Sequence, residues 1–154
     1  MMVRVAQAAD IPALVRLRMA LFCEVGELAR PDEDPALWQA TQTYFTRALE
    51  EGRARSWLVE EGGEAVACGT LALFVRPPYP GNLAGREGYV LNMYTLPAWR
   101  RRGMAKALLV AIKAYAREQQ LGRLWLHASD EGRSLYERFG FADNPACLEC
   151  VPAR

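Results

Sequence analysis

Leu96-Pro97-Ala98-Trp99-Arg100-Arg101-Arg102-Gly103-Met104-Ala105 joins two runs of different period. Residues 89–95 before it read as a strand. Residues 103–120 after it read as a strong amphipathic helix that stops at Gly122. The quoted residues are thus a strand-to-helix turn, with an arginine triplet and the small residues Gly103 and Ala105 at the helix entrance. Backbone N–H groups of a first helical turn lack intrahelical partners and sit at the positive end of the helix dipole. Such an entrance favours a phosphate. The dipole contributes about 0.3–1 kcal/mol, so charge-assisted hydrogen bonds of about 1.5–3 kcal/mol each dominate. Three arginines at a turn are commonly just a solvated basic face. The turn is not a Walker A loop, because no Gly-Lys-Ser/Thr ends it. It is not a dinucleotide fingerprint, because the second and third glycines are missing.

On the N-terminal side, residues 3–6 read as a first strand. Asp10 is a candidate N-cap, with Pro12 in the first turn, where a missing N–H costs little. Ile11, Leu14, Val15, Leu17, Arg18, Leu21 and Phe22 then fall largely at helical spacing, and Gly26 or the Arg30-Pro31 step ends that helix. Residues 31–35 are an acidic, proline-bounded loop. A second helix is predicted over residues 36–50, with Leu37, Tyr44, Phe45, Ala48 and Leu49 inward. Residues 56–60 and 65–75 read as strands joined at Glu61-Gly62-Gly63-Glu64, where glycine supplies the positive φ of a tight hairpin. Residues 76–88 are rich in Pro and Gly and read as a loop. Beyond the long helix, residues 123–127 read as a strand, 131–139 as a short helix ending at Gly140, and 148–151 as a last strand. This order gives a mixed α/β sheet with helices on its faces, in a single domain over residues 1–154.

The composition supports one soluble domain. Of 154 residues, 51% are hydrophobic and 24% charged, enough apolar material for a core without disulfides. The net charge of +1 argues against a dedicated nucleic-acid binder, which would carry a broad basic excess. No apolar run reaches the roughly 18–20 residues of a membrane span, and residues 1–10 do not read as a secretory signal. Cys23, Cys68, Cys147 and Cys150 are expected as reduced thiols in a cytoplasmic protein.

A second run, Leu135-Tyr136-Glu137-Arg138-Phe139-Gly140-Phe141, changes the reading of the arginine turn. With the two runs in this order, one helix and one strand apart, the chain resembles the GNAT superfamily of acyl-CoA-dependent N-acyltransferases. The signature of that family is Arg/Gln-x-x-Gly-x-Gly/Ala followed by Leu-Tyr-Glu-x-x-Gly-Phe. The resemblance covers nearly the whole chain and implies an α/β (α+β) fold, a mixed, mostly antiparallel twisted sheet flanked by helices. It implies acetyl transfer from acetyl-CoA, as co-substrate, to a primary amine of a small molecule or peptide, by direct attack and with no metal. In its terms, Arg100, Arg101, Arg102, Gly103, Met104, Ala105 and Lys106 would bind the pyrophosphate, through main-chain N–H groups with Arg100, Arg101 and Lys106 as cations. Main-chain groups near Met93, Tyr94 and Leu96 would pair with the pantetheine arm, in a gap where that strand splays from residues 123–127. Tyr136 would be the general acid for the departing thiolate. Two departures stand out: Ser129 where many members have Asn, and Gly132 where many have Ala. Ser129 still offers a hydroxyl to the cofactor.

An alkylamine has a pKa of about 10.4, so roughly one molecule in a few thousand is neutral at pH 7, a penalty of about 4–5 kcal/mol. A base or a water must therefore take a proton. His127 ends the strand beside the expected cleft, and histidine titrates in the useful range, although a lone histidine is more often a structural hydrogen-bonding residue. Glu24 and Glu27 near the end of the first helix are the other candidates. Asn92 and Tyr94 share one strand face, which is either the acceptor side or core. The acidic set Glu24, Glu27, Asp32, Glu33 and Asp34 suggests a cationic acceptor. Cys147 and Cys150 would lie on opposite faces of a strand and lack a second pair, which argues against zinc. Trp99, Tyr115 and Trp125 read as packing residues. Pro77-Pro78-Tyr79-Pro80 reads as a rigid loop, with a place over the acceptor site or in a homodimer contact as its alternatives. A non-catalytic acyl-CoA sensor and an acetyltransferase for protein N-termini or lysines are the competing functions, because a fold does not fix function.

Overall fold

The computed structural model describes residues 1–153. Strands β1 (Met2–Val5), β2 (Ala54–Glu61), β3 (Glu64–Val75), β4 (Arg86–Thr95) and β5 (Leu124–Trp125) form one sheet in that order. The first four pair antiparallel, and β5 joins β4 in parallel. The helices are α1 (Ile11–Glu24), α2 (Pro35–Glu50), α3 (Met104–Glu118) and α4 (Asp130–Arg138). The mixed, mostly antiparallel sheet expected from the sequence is the one observed. No described helix is long and apolar enough to cross a membrane.

Each face of the sheet carries its own core. Leu14, Leu17 and Met19 of α1 and Phe45 of α2 pack with Leu58 on one face. Leu108 and Ile112 of α3 pack with Trp57, Val66 and Leu71 on the other. Trp57 and Leu58 go to opposite layers because successive strand residues alternate. Burying each such side chain contributes about 1.5–3 kcal/mol.

The local signals mostly act as their chemistry requires. Gly62 and Gly63 have φ of 59° and 82°, which suits the two-residue turn between the paired Glu61 and Glu64. Asp34 caps α2 by accepting from Leu37 N at 2.9 Å. Asp10 does not cap α1. Its carboxylate instead accepts from Gln7 N at 2.7 Å and from Arg4 at 2.7 and 2.8 Å, which closes a 3-10 turn at Ala8–Asp10. The inward stripe of α2 is Thr41, Phe45 and Ala48, while Tyr44 and Leu49 remain 37% and 38% exposed at its rim.

Three strands depart most from the sequence reading. β4 begins at Arg86, inside the expected loop, because Arg86 and Glu87 still pair with Val75 and Phe74. β5 is only two residues long, and its pairs with β4 are Gly88↔Leu124 and Tyr89↔Trp125. Residues 148–151 form no strand. Pro145 and Pro152 bracket that segment and remove ladder donors, and Leu148 and Val151 are 92% and 85% exposed, so no apolar burial fixes a register.

Glu87 anchors the β4–β5 junction. It is fully buried and accepts from Arg76 Nη1 at 3.1 Å, Trp125 Nε1 at 2.9 Å and the Tyr79 hydroxyl. Burial works against its charge, but these donors prevail and hold its pKa below the usual carboxylate value. The proline-rich loop is thereby folded down onto the sheet, and Asn82 completes it by donating to Arg86 O at 3.1 Å.

Candidate active site

The arginine turn is built on a distorted strand. Thr70 pairs with Leu91 and Cys68 with Tyr94, so β4 carries one extra residue, a β-bulge. Asn92 sits there with φ of 54°, a left-handed conformation that asparagine tolerates better than most residues. Beyond Tyr89, β4 loses β5 as a neighbour. Its backbone groups on that edge then face a gap rather than a strand.

Past Leu96 the chain makes a short 3-10 turn, Pro97–Trp99. Arg101 and Gly103 take positive φ of 60° and 80°, which reverses the chain into α3. Gly103 is the N-cap and offers no side-chain cap. The first N–H groups of α3, at Met104, Ala105 and Lys106, thus keep their donor capacity. By contrast Asp34 caps α2 and Ser129 caps α4, the latter accepting from Gly132 N at 3.1 Å. Arg101 and Lys106 are exposed beside this entrance. Arg102 folds back over the Trp99 ring at 4.7 Å.

Arg100 is turned away from the entrance. Its Nε donates to Thr95 O at 3.0 Å, its Nη2 donates to the Glu24 carboxylate, and its guanidinium lies 5.6 Å from the Tyr94 ring centroid. The Arg100 guanidinium holds the Glu24 carboxyl below the ordinary range. Burial, with Glu24 beside it, pushes the Tyr94 phenol up to about 12. Glu24 is therefore a weak base. Asn92 and Tyr94 both face α1, while Met93 lies against Gly69 on the α3 side.

Tyr136 lies on α4, edge-on to Phe141 with ring centroids 6.0 Å apart. Gly132 makes room for its ring, since a Cβ there would lie 3.1 Å from Tyr136 Cε2. Burial raises the Tyr136 pKa above the usual phenol value. His127 is exposed, with Nδ1 hydrogen-bonded to the Tyr89 hydroxyl and Nε2 3.6 Å from Glu149. Tyr136 and His127 line one cleft of about 810 Å³, together with Lys113, Arg133 and Phe141. Residues 93–106 are not among its lining. Ser129 uses an oxygen lone pair as a cap, which leaves its O–H as a donor. Cys147 and Cys150 are exposed free thiols, and no group of three or more potential metal-binding side chains occurs among the described residues.

Two features escaped the sequence. Tyr89 as a partner of His127 depends on the β4–β5 register. The Glu24–Arg100 pair joins residues 76 positions apart, which no local pattern reveals.

The family model described as Acetyltransferase (GNAT) family matches residues 17–141. An Escherichia coli (strain K12) protein, uncharacterized N-acetyltransferase YjgM, is 32% identical over 151 residues, covering 92% of this chain and 82% of that protein. The structure is similar to that of a predicted acetyltransferase with acetyl-CoA from Clostridium acetobutylicum, with TM-score 0.87, 30% identity and coverage of 97% and 95% of the two chains. A GCN5-related N-acetyltransferase from Ralstonia eutropha JMP134 gives TM-score 0.79 at 27% identity, with 97% of each chain covered. The family match over residues 17–141, the 32% identical relative and the agreement in fold lead to one assignment: the chain belongs to the acetyltransferase (GNAT) family and is an N-acetyltransferase.

Proposed function

We propose that this protein transfers the acetyl group of acetyl-CoA to a primary amine by direct attack, with no covalent enzyme intermediate. The observation that carries the reading is the uncapped entrance of α3 at the end of a strand that has lost its neighbour. The N–H groups of residues 104–106, with Arg101 and Lys106, suit a pyrophosphate. The open edge of β4 near Met93 and Tyr94 suits the amides of a pantetheine arm, whereas the Leu96 N–H donates to Val66 O at 2.9 Å and its carbonyl accepts from Trp99 N at 2.8 Å, so Leu96 is not free for that role. The acetyl-CoA named with the Clostridium structure supports the same co-substrate.

In this reading the amine nitrogen attacks the thioester carbonyl, the C–N bond forms and the C–S bond breaks. Tyr136 donates a hydrogen bond, and finally its proton, to the departing sulfur. A thiol pKa near 8.5 lies below that of a tyrosine, about 10, so the bond acts mainly by stabilising the developing thiolate. The amine proton leaves through His127 or through water, because Glu24 is held as the partner of Arg100. Four free cysteines suit a reducing, cytoplasmic setting.

Calorimetric titration with acetyl-CoA, followed by thiol release across an amine panel, tests the reading. Saturable binding and amine-dependent release are expected. No binding at millimolar acetyl-CoA would overturn it.

A further inference from the structure

Arg18 occupies an inward position of α1, in the apolar spacing that runs through Leu14, Val15 and Phe22. It is partly buried, and burial draws its pKa down. An arginine guanidinium is effectively always protonated, so it still carries its charge at neutral pH. No carboxylate lies within ion-pair distance of it among the described residues. Tyr44 and Cys68, a phenol and a thiol, are the ionisable groups that act on it. Its one hydrogen bond runs from Nη1 to Asn92 Oδ1 at 3.5 Å, and its guanidinium lies 4.7 Å from the Phe22 ring centroid. Arg4, Arg76 and Arg100, by contrast, each have a carboxylate partner.

The surroundings make this charge specific in position. Asn92 is buried and is the left-handed residue of the β4 bulge. It is held by Cys68, whose thiol donates to Asn92 O at 3.2 Å and accepts from Asn92 Nδ2 at 3.5 Å. The Asn92 amide oxygen is thus fixed toward Arg18, at the bulge that opens β4. All of the acidic set that suggested a cationic acceptor except Glu27 is meanwhile occupied elsewhere. Glu24 pairs with Arg100, Asp32 with Arg30, Glu33 accepts from Ala29 N, and Asp34 caps α2. A partly desolvated cation without a counter-charge is costly unless something binds it.

We infer that the acceptor is a small amine carrying a carboxylate a few bonds from its nitrogen, and that Arg18 binds that carboxylate beside the β4 bulge. The inference rests on the acetyl-transfer reading and narrows its acceptor. A guanidinium offers a planar fork that matches a carboxylate with two hydrogen bonds, and Phe22 stacks against its face. Asn92, which Arg18 contacts, directly precedes Met93 and Tyr94, the stretch of β4 that the reading gives to the thioester arm.

The test compares amino acids with their amides and with the amines left by removing the carboxyl group, in the thiol-release assay. The ratio of kcat/KM for an amino acid over its decarboxylated amine is expected to exceed about tenfold, the scale of one charged hydrogen bond. Arg18→Gln should collapse that ratio toward one, and Arg18→Lys should give an intermediate value because it keeps charge but loses the fork. A thermal melt and an acetyl-CoA titration show whether each variant is folded, and Arg18→Lys decides the matter if Arg18→Gln is not. Equal use of amino acids and decarboxylated amines, or a ratio that Arg18→Gln and Arg18→Lys leave unchanged, overturns the inference. Acetyl-CoA binding with no reaction of any amine in the panel also overturns it. Absence of acetyl-CoA binding overturns the acetyl-transfer reading itself, so the two failures are distinct.

Discussion

Tyr136 is held where its ring meets Phe141 and the open face of Gly132, and burial keeps it a phenol. Tyr136→Phe removes the hydroxyl and little else. It should lower kcat by about 10²-fold or more, the usual contribution of a positioned acid, while leaving the acetyl-CoA Kd within about twofold. Turnover kept at the wild-type level, measured by thiol release, would remove Tyr136 from the chemistry. The arginines of the turn divide by their partners. Arg101 is exposed beside the α3 entrance, so Arg101→Glu should weaken acetyl-CoA binding by about tenfold at low salt and less at high salt, as screening reduces its field. Calorimetry at two ionic strengths checks this. The triplet was visible in the sequence as a triplet. That Arg100 serves Glu24 rather than the turn was not, because the pairing joins the end of α1 to the turn that follows β4.

At the scale of elements, the β4–β5 junction depends on one buried carboxylate. Glu87→Ala leaves the Trp125, Tyr79 and Arg76 donors without their shared acceptor and should cost about 3–5 kcal/mol in urea denaturation. Glu87→Gln keeps the shape and should cost less. Glu87 has a folded pKa below its unfolded value. Its contribution is therefore fully present above the unfolded pKa, about 4.3, and is lost as pH falls through the folded pKa. The wild-type protein should accordingly lose more stability than Glu87→Gln between pH 5 and pH 2, as thermal melts across that range would show. Parallel losses would mean that Glu87 is not the group responsible. This element also marks a limit of sequence reading. Residues 76–88 looked like loop because proline and glycine mask the strand start at Arg86, and the pairing that extends β4 comes from the far end of β3. The α3 helix and the Gly62-Gly63 hairpin were legible because their period and φ requirements are local. The expected final strand does not form, because apolar residues at 148–151 make a strand only if a neighbour covers them.

Over the whole molecule, the sheet separates two cores. Leu58→Ala on the α1 side and Leu108→Ala on the α3 side should each cost about 2–5 kcal/mol. Their effects should add within about 0.5 kcal/mol, since the two side chains share no packing layer. A large deviation in the double variant would show that the layers act as one unit. This two-layer plan was readable from the order of elements and the two motifs. The acceptor side was not, because it depends on which charges pair across the fold, and the acidic residues that suggested a cationic ligand, Glu27 excepted, find partners nearby. The measurement that reaches the account most directly is thiol release from acetyl-CoA as a function of amine concentration, with acetyl-CoA binding followed on the same samples. Release that requires amine and saturates in both substrates is expected. Acetyl-CoA that binds but releases no thiol with any amine would contradict it.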